Sequence, residues 1–246
     1  APAAPAAGPA APGHPQEPLG PPQAAWCELP SRVLLVLTSQ RGVQMYDADG
    51  STMVFWHALD GGNSTHSVFA RGIAAAGGRF VCVGTSFGAV LVFDIPPKGT
   101  NVTLSEVLEQ HRDPITDMAA EQGQAPDGAG DLVTADDSGT LCLWSSGEEF
   151  TLLGKIPGSG CTCSSVALWN GIVAAGYGNG QIRLWEAGSG RIRAQLSAHA
   201  RWIYAIDLAP LTGKVRGERA QLGAQLGAPK ASHAGILPDI PACIPH

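Results

Sequence analysis

The sequence predicts an all-β fold, an incomplete β-propeller with about four to five blades of four-stranded antiparallel sheet. A glycine-containing turn, followed by a strand that alternates apolar residues and ends in an aromatic residue, occurs three times: SFGAVLVF (86–93), DSGTLCLW (137–144) and GNGQIRLW (178–185). The terminal aromatic residues are 51 and 41 residues apart. Such a turn and a period of two are typical of the second arm of a β-hairpin.

The spacing of these hairpins sets the length of the repeat. The longer interval includes EQGQAPDGAG (121–130), which we interpret as a loop insertion because it is rich in turn-forming residues. Without it the repeat is roughly forty residues, the length of one propeller blade. His111 and His199 are an independent marker, since each precedes an isoleucine by four residues and the two are 88 residues apart, about two blades.

The blades follow one another along the chain. The first blade is predicted to contribute only three strands. A fifth blade is predicted to stop after one strand, because the residues beyond that strand show no apolar alternation. The blades take residues 32–60, 66–108, 111–153 and 161–199, with the single strand of the fifth in 199–214.

Composition divides the chain into three parts. Residues 1–25 are rich in Ala and Pro, which predicts a disordered extension. Residues 26–214 carry the blades. Residues 215–246 contain no alternation and no aromatic residue, which predicts a divergent tail that is disordered or weakly helical.

The number of blades predicts an open ring. Seven blades of about 42 residues need roughly 290 residues, whereas 26–214 holds four and a half. Unpaired sheet faces favour association, so we expect a homo-oligomer or a poorly soluble chain. The alternatives are that fewer blades close the ring, or that the tail docks as a substitute strand.

Charge and hydropathy narrow the functional classes. With 15 basic and 21 acidic residues, the chain has a net charge of −6 and no basic stripe, so nucleic acid is not an expected partner. The longest apolar run is VLLVL (33–37), far below the roughly 18 residues of a membrane helix. The start of the sequence lacks the basic and apolar regions of a signal peptide. We therefore expect a cytoplasmic location, with vesicle association as an addition.

Residues 26–214 resemble the WD-repeat (WD40) family, whose blades carry a His before the first strand and a strand that ends in Trp. The resemblance implies a buried hydrogen-bonded network of His111, Thr134, Asp137 and Trp144 in the third blade. In the fourth, Asn179 stands where the acid would be. The residues expected to have this structural repeat role are His111, Thr134, Asp137, Trp144, Trp185 and His199. Some stretches resemble one member closely: RVLLVLTS, VFARGIAA, LVTADDSG, EFTLL, AAGYGNGQ and AHARWI.

Candidate catalytic and metal-binding residues have structural alternatives. His111 and Asp113 could act as an acid–base pair, but a blade-loop histidine accounts for His111 without catalysis. Cys161 and Cys163 could supply two metal ligands, although no second Cys or His pair lies near them in sequence, and buried thiols are the alternative. We expect no catalytic site, no metal and no cofactor.

The expected function is a non-catalytic scaffold that binds proteins through loops at one rim. The alternative is an enzyme whose site forms at the central channel from residues of several blades, because a propeller fold alone does not decide function. Family geometry places the loop before each first strand and the turn between the second and third strands on the same rim. The rim residues expected to bind proteins are Arg112, Asp113, Tyr177, Asn179, Arg201 and Trp202, with a core position in the first strand as the alternative for Trp202.

Overall fold

A computed structural model describes residues 23–59, 70–123 and 126–207. Every regular element in these ranges is a β-strand, which confirms the predicted all-β class. No described residue belongs to a helix that could cross a membrane. The predicted tail and most of the predicted N-terminal extension lie outside the described residues.

The sixteen strands form four blades of four strands each. Blade 1 contains β1 (Gln23–Glu28), β2 (Val33–Ser39), β3 (Gly42–Asp47) and β4 (Met53–Ala58). Blade 2 contains β5 (Ala70–Ala76), β6 (Phe80–Thr85), β7 (Val90–Asp94) and β8 (Thr103–Leu108). Blade 3 contains β9 (Ile115–Ala120), β10 (Leu132–Asp136), β11 (Leu141–Ser145) and β12 (Thr151–Ile156). Blade 4 contains β13 (Cys163–Trp169), β14 (Ile172–Tyr177), β15 (Gln181–Glu186) and β16 (Arg191–Ser197).

Each blade is an antiparallel sheet whose strands pair in chain order. The first strands of neighbouring blades, β5, β9 and β13, pack against each other and are therefore innermost. Because successive side chains of a strand point to opposite faces, each internal blade contributes one set of apolar residues to the blade before it and another to the blade after it. In β6, for example, Val81 and Val83 face blade 1, whereas Cys82 faces blade 3.

The first strand of blade 1 corrects the predicted boundary. Three strands were expected there, but β1 begins at Gln23, inside the segment 1–25 assigned to the extension, and completes the sheet. The pattern QAAWCE has only weak apolar alternation, so its strand state depends on the ladder that it forms with β2. Local sequence therefore could not identify it.

The first strand of a fifth blade was predicted within 199–214, but its described part, 199–207, forms no strand, and 208–214 lie outside the described residues. The described part nevertheless lies where that strand would lie. The Ser164 hydroxyl donates to the Ile203 carbonyl, as the Thr116 hydroxyl donates to the Cys163 carbonyl one blade earlier. Within the described residues no second strand pairs with this segment, and strand geometry depends on such a ladder.

The four sheets do not close into a ring, which confirms an incomplete propeller. At one end of the array, Trp26 and Trp56 of blade 1 are 56% and 57% exposed. At the other end, Ile182 and Leu184 of blade 4 are only half-buried, although the equivalent leucines of blade 3 are fully buried. Both ends therefore present apolar sheet surface.

Candidate interaction rim

One edge of the four sheets collects two kinds of loop, the turn between the second and third strands and the loop that leads to the next blade. Gly88 in the β6–β7 turn has φ +81°, and a Cβ there would lie 2.8 Å from the His111 carbonyl oxygen. Gly180 in the β14–β15 turn meets the His199 carbonyl in the same way. We call this edge the rim; it comprises residues 39–42, 86–89, 109–114, 137–140, 157–162, 178–180 and 198–202.

A buried hydrogen-bonded network supports the rim in blade 3. His111 Nδ1 lies 2.8 Å from Asp136 Oδ2, and His111 Nε2 lies 2.8 Å from Thr134 Oγ1. Trp144 Nε1 donates to the same Thr134 hydroxyl at 3.0 Å. All four side chains are buried, and direct hydrogen bonds join the loop before β9 to β10 and β11.

The donors and acceptors of this network can be assigned in only one consistent order if His111 is neutral. The indole N–H has no acceptor capacity, so Thr134 accepts from Trp144 and donates its own proton to His111 Nε2. His111 Nδ1–H then donates to the Asp136 carboxylate. Every polar atom is thereby satisfied, which is the condition under which a buried polar network rigidifies a fold.

Asp136 also fixes the β10–β11 turn. Its Oδ1 accepts hydrogen bonds from the backbone N–H groups of Ser138 at 3.0 Å and Thr140 at 2.9 Å. Burial by itself would raise the pKa of Asp136, but the hydrogen bonds from His111, Ser138 and Thr140 outweigh it and hold the pKa below the usual range. The carboxylate is therefore ionised near neutral pH.

The acid of the network is Asp136 and not Asp137, the residue predicted from the family pattern. Side chains two residues apart in a strand share a face, so Thr134 and Asp136 both point toward His111. Asp137 is exposed in the following turn, where its carboxylate accepts a hydrogen bond from the Thr162 hydroxyl at 2.9 Å.

The side chains of Asp136, His111 and Thr134 are hydrogen-bonded in the same sequence as the acid, histidine and nucleophile of a catalytic triad. A nucleophile must reach a substrate carbonyl, but Thr134 is 0% exposed and its hydroxyl already accepts from Trp144. His111 bonds to Asp136 and Thr134, so the alternative acid–base pair with Asp113 is not formed. The arrangement can hold the loop and the strands together, and it offers no accessible reactive atom.

Blade 4 places different residues at the network positions. The register puts Ala175 where blade 3 has Thr134, and Tyr177 where it has Asp136. The Arg183 guanidinium lies 4.5 Å from the centroid of the Tyr177 ring, and it donates to Ser159 at 3.1 Å and to Gln181 at 3.0 Å. Trp185 keeps the strand-end position, but its indole N–H meets no hydrogen-bond acceptor within the described residues.

Besides Asp137, two more of the residues expected at the repeat and rim positions lie elsewhere than predicted. Tyr177 was expected to contact partners, but it is 1% exposed because its ring packs under Arg183 in the core between blades 3 and 4. His199 was expected to be a structural histidine like His111, but it is exposed. In blade 3, Thr134, Asp136 and Trp144 surround His111. The described residues contain no equivalent Thr, Asp and Trp of a fifth blade that could bury His199 in the same way.

The other rim residues are placed as expected, and their role in binding stays a prediction. Arg112 and Arg201 are exposed, Asp113 is half-buried, and Asn179 uses its side-chain oxygen to accept from the Gln181 N–H at 3.1 Å. Trp202 is 40% exposed, with its ring against Gly178. It is therefore a surface residue with one covered side.

Sequence reasoning missed Phe87, which is 55% exposed in the β6–β7 turn. The signal was present, since a bulky aromatic residue at a turn position next to a glycine has no strand neighbour to cover it. Phe87 was treated only as part of a repeat. It lies beside the loop of Arg112, because the adjoining Gly88 packs against the carbonyls of His111 and Asp113.

The Cys161–Cys163 pair does not form a metal site within the part of the chain that the structure describes. No cluster of three or more candidate ligands occurs there. Cys163 is a buried free thiol, in agreement with the alternative interpretation, and Cys161 is buried as well.

Comparison with protein families is decisive for the identity of these repeats. The family model described as WDR54 matches residues 10–222. The chain belongs to the WDR54 family. The match extends beyond 26–214 at both ends.

Curated relatives of the WDR54-family chain carry WD-repeat names. It is 63% identical over 195 residues to WD repeat-containing protein 54 of Mus musculus, and 61% identical to the Homo sapiens protein of the same name. Each alignment covers 78% of this chain and 58% of the relative. The chain thus spans less than two thirds of the length of these relatives.

Solved structures agree with the fold. The computationally designed Ika8 protein matches with a TM-score of 0.54 and 19% identity, over 72% of this chain and 50% of that one. A chain of the Mitotic Checkpoint Complex matches with a TM-score of 0.56 and 15% identity, over 76% and 55%. At these identities the likeness concerns the fold alone.

Proposed function

We propose that this chain is a non-catalytic scaffold that binds protein partners through the rim. The observation that carries the proposal is the pairing of exposed aromatic and arginine side chains there: Phe87 adjoins the loop of Arg112, and Trp202 follows Arg201. Aromatic residues and Arg are enriched among the residues that dominate binding energy at protein interfaces.

The network beneath the rim supports this function. Arg112 directly follows His111, whose side chain is fixed at both ring nitrogens by Asp136 and Thr134. A loop that is already held in place loses less conformational entropy when it binds a partner. The rigid blade thus provides a preorganised base for exposed side chains.

A second candidate, an enzyme with a central-channel site, is favoured by Asp117 on the innermost strand β9. Burial raises the pKa of this carboxyl, and Arg71 lies near enough to lower it in part. Perturbed carboxyls are frequent at catalytic sites. However, Asp117 accepts the Val166 N–H at 2.9 Å, which gives it a structural use between blades 3 and 4. The scaffold function is therefore the better supported.

Crosslinking and affinity capture with matched variants test the proposal. The double variant Phe87→Ser/Trp202→Ser removes two exposed rim aromatics, and Leu104→Ser/Val107→Ser removes two similarly exposed apolar residues from β8. We expect partners captured by the unchanged chain to be lost with the rim variant and kept with the β8 variant. Equal capture by both variants would contradict a rim-based scaffold.

A further inference from the structure

Charged residues are arranged differently at the two edges of the sheets. The edge opposite the rim carries the turns between the first and second strands and between the third and fourth strands. All three arginine–carboxylate salt bridges within the described residues lie there: Arg32 with Asp47, Arg79 with Asp94 and Arg193 with Glu186. These arginines are neutralised by the chain itself.

The arginines of the rim differ from those of the opposite edge. Arg41, Arg112 and Arg201 are exposed, and none makes a salt bridge to a described residue. Arg112 lies in the loop that adjoins the turn of Phe87, and Arg201 directly precedes Trp202. The rim therefore presents two exposed rings, each near the backbone of an arginine that pairs with no described carboxylate.

Carboxylates on the rim offset these charges only in part. Asp136 is buried against His111, whereas Asp137 is exposed, and its hydrogen bond from the neutral Thr162 hydroxyl does not offset a charge. Asp113 is half-buried and Glu109 is exposed. Lys155 adds a further exposed cation at this edge, where it donates to the Gln110 carbonyl.

The opposite edge is acidic by comparison. Its turns expose Asp49, Asp127, Glu148 and Glu149, and its exposed cations outside salt bridges are Lys98 and Arg191. In a chain with a net charge of −6, the rim is thus the edge toward which a negatively charged partner is attracted and the opposite edge repels it.

We infer that the rim binds an acidic protein segment that also carries an apolar side chain. This inference rests on the proposed scaffold function and names the chemistry of its partner. A carboxylate can accept two parallel N–H bonds from a guanidinium, which gives direction as well as attraction. An apolar side chain next to that carboxylate can cover Phe87 or Trp202, so one short segment satisfies both members of a pair.

Selection from an unbiased peptide library tests the inference. A phage-displayed library of random peptides is selected on the 246-residue chain, and enriched peptides are synthesised with a fluorescent label. Their binding is measured by anisotropy against the unchanged chain, the rim variant Arg112→Glu/Arg201→Glu, the variant Phe87→Ser, and Lys98→Glu as a charge-matched control on the opposite edge. Thermal unfolding checks that each variant is folded.

We expect the enriched peptides to combine Asp or Glu with an aromatic or aliphatic residue. Replacement of their acids by the amides, or reversal of the two rim arginines, should weaken binding about tenfold or more, whereas Lys98→Glu should leave it unchanged. Binding should also weaken as salt is raised, because these charges are exposed.

The other outcomes separate this inference from the proposed function. Enriched peptides that lack acids but still require Phe87 would overturn the acidic partner and leave the scaffold intact. Peptides indifferent to every rim variant, or no enrichment at all, would overturn both. Equal binding of single-stranded poly(U) RNA, with the same dependence on the arginines, would indicate a general anion surface and overturn the protein partner.

Discussion

Blades 3 and 4 share a backbone register but hold their central strands in different ways. In blade 3, a polar chain of His111, Thr134, Asp136 and Trp144 is completely hydrogen-bonded. In blade 4, a guanidinium lies over a tyrosine ring, and the strand-end tryptophan has no partner for its N–H in the described structure.

The two blades also differ in how their faces are covered. Leu141 and Leu143 of blade 3 pack between two blades and are 0% and 1% exposed. Ile182 and Leu184 occupy the same positions in blade 4 and are half-buried, because among the described residues only one face of this sheet has a complete neighbouring blade. The strand-end aromatic residue and the stacking of blades are thus common to both blades, whereas the polar network occurs in blade 3 and not in blade 4.

The largest difference is expected for the two strand-end tryptophans. Trp144→Ala removes a ring that is 3% exposed together with its hydrogen bond to Thr134, which should cost about 3–5 kcal/mol in the free energy of unfolding. Trp185→Ala should cost less, because this ring is only half-buried and its N–H makes no bond. Urea unfolding of both variants measures the difference. Equal losses would show that the network adds nothing to the packing of the ring.

Sequence reasoning found the parts of this comparison that repeat along the chain. The glycine turns, the strand alternation and the strand-end aromatics predicted the all-β blades, because each depends on local backbone geometry and on a period of two. The same reasoning identified His111, Thr134 and Trp144 through the family pattern. It placed the acid one residue too late, since only the strand register shows which side chain shares a face with Thr134.

Features that depend on tertiary contacts could not be predicted in this way. The state of β1 depends on pairing with β2, and the burial of Tyr177 depends on Arg183 from the neighbouring strand. The exposure of His199 depends on strands that would have to come from another blade. Each is a long-range consequence that single-sequence periodicity does not encode.

A smaller effect is expected when the network is broken at the shared hydroxyl. Thr134→Val keeps the volume but leaves His111 Nε2 and the Trp144 N–H without partners, which should cost about 1–3 kcal/mol. Thr85→Val in blade 2 is the control, because within the described part of the chain this buried hydroxyl bonds only to the turn residue Ala89. If both variants lose the same stability, the network has no special role.

The pH dependence of stability should also distinguish the two blades. The pKa of Asp136 is lower in the folded chain than in the unfolded one, so its stabilisation is complete above the unfolded pKa of about 3.9 and is lost as the pH falls through the folded value. Tyr177 occupies the equivalent position in blade 4, and burial raises its pKa to about 12, so this position does not titrate in the acid range.

Asp136→Asn measures this contribution directly. The unfolding free energy of the variant should lie below that of the unchanged chain at pH 7, and the two should converge as the pH is lowered below 4. Asp117, whose pKa is raised by burial, has the opposite pH dependence, but it is present in both chains and cancels in the difference. A gap that persists at low pH would contradict a role for the ionised carboxylate.

The smallest effect on stability, and the clearest effect on assembly, is expected at the open ends. Trp26→Ser/Trp56→Ser changes two side chains that are more than half exposed, so each substitution should alter the unfolding free energy by about 0.5 kcal/mol or less. The internal interfaces join the face of one blade to the face of the next. We therefore expect the exposed end faces of two copies to pack in the same way, so that the unchanged chain self-associates as its concentration rises. Size-exclusion chromatography with light scattering should show this association reduced in the double variant and kept in Leu104→Ser, whose side chain is similarly exposed on β8. If the unchanged chain is instead a monodisperse monomer at all concentrations, the exposed faces of the end blades do not cause association and this prediction is wrong.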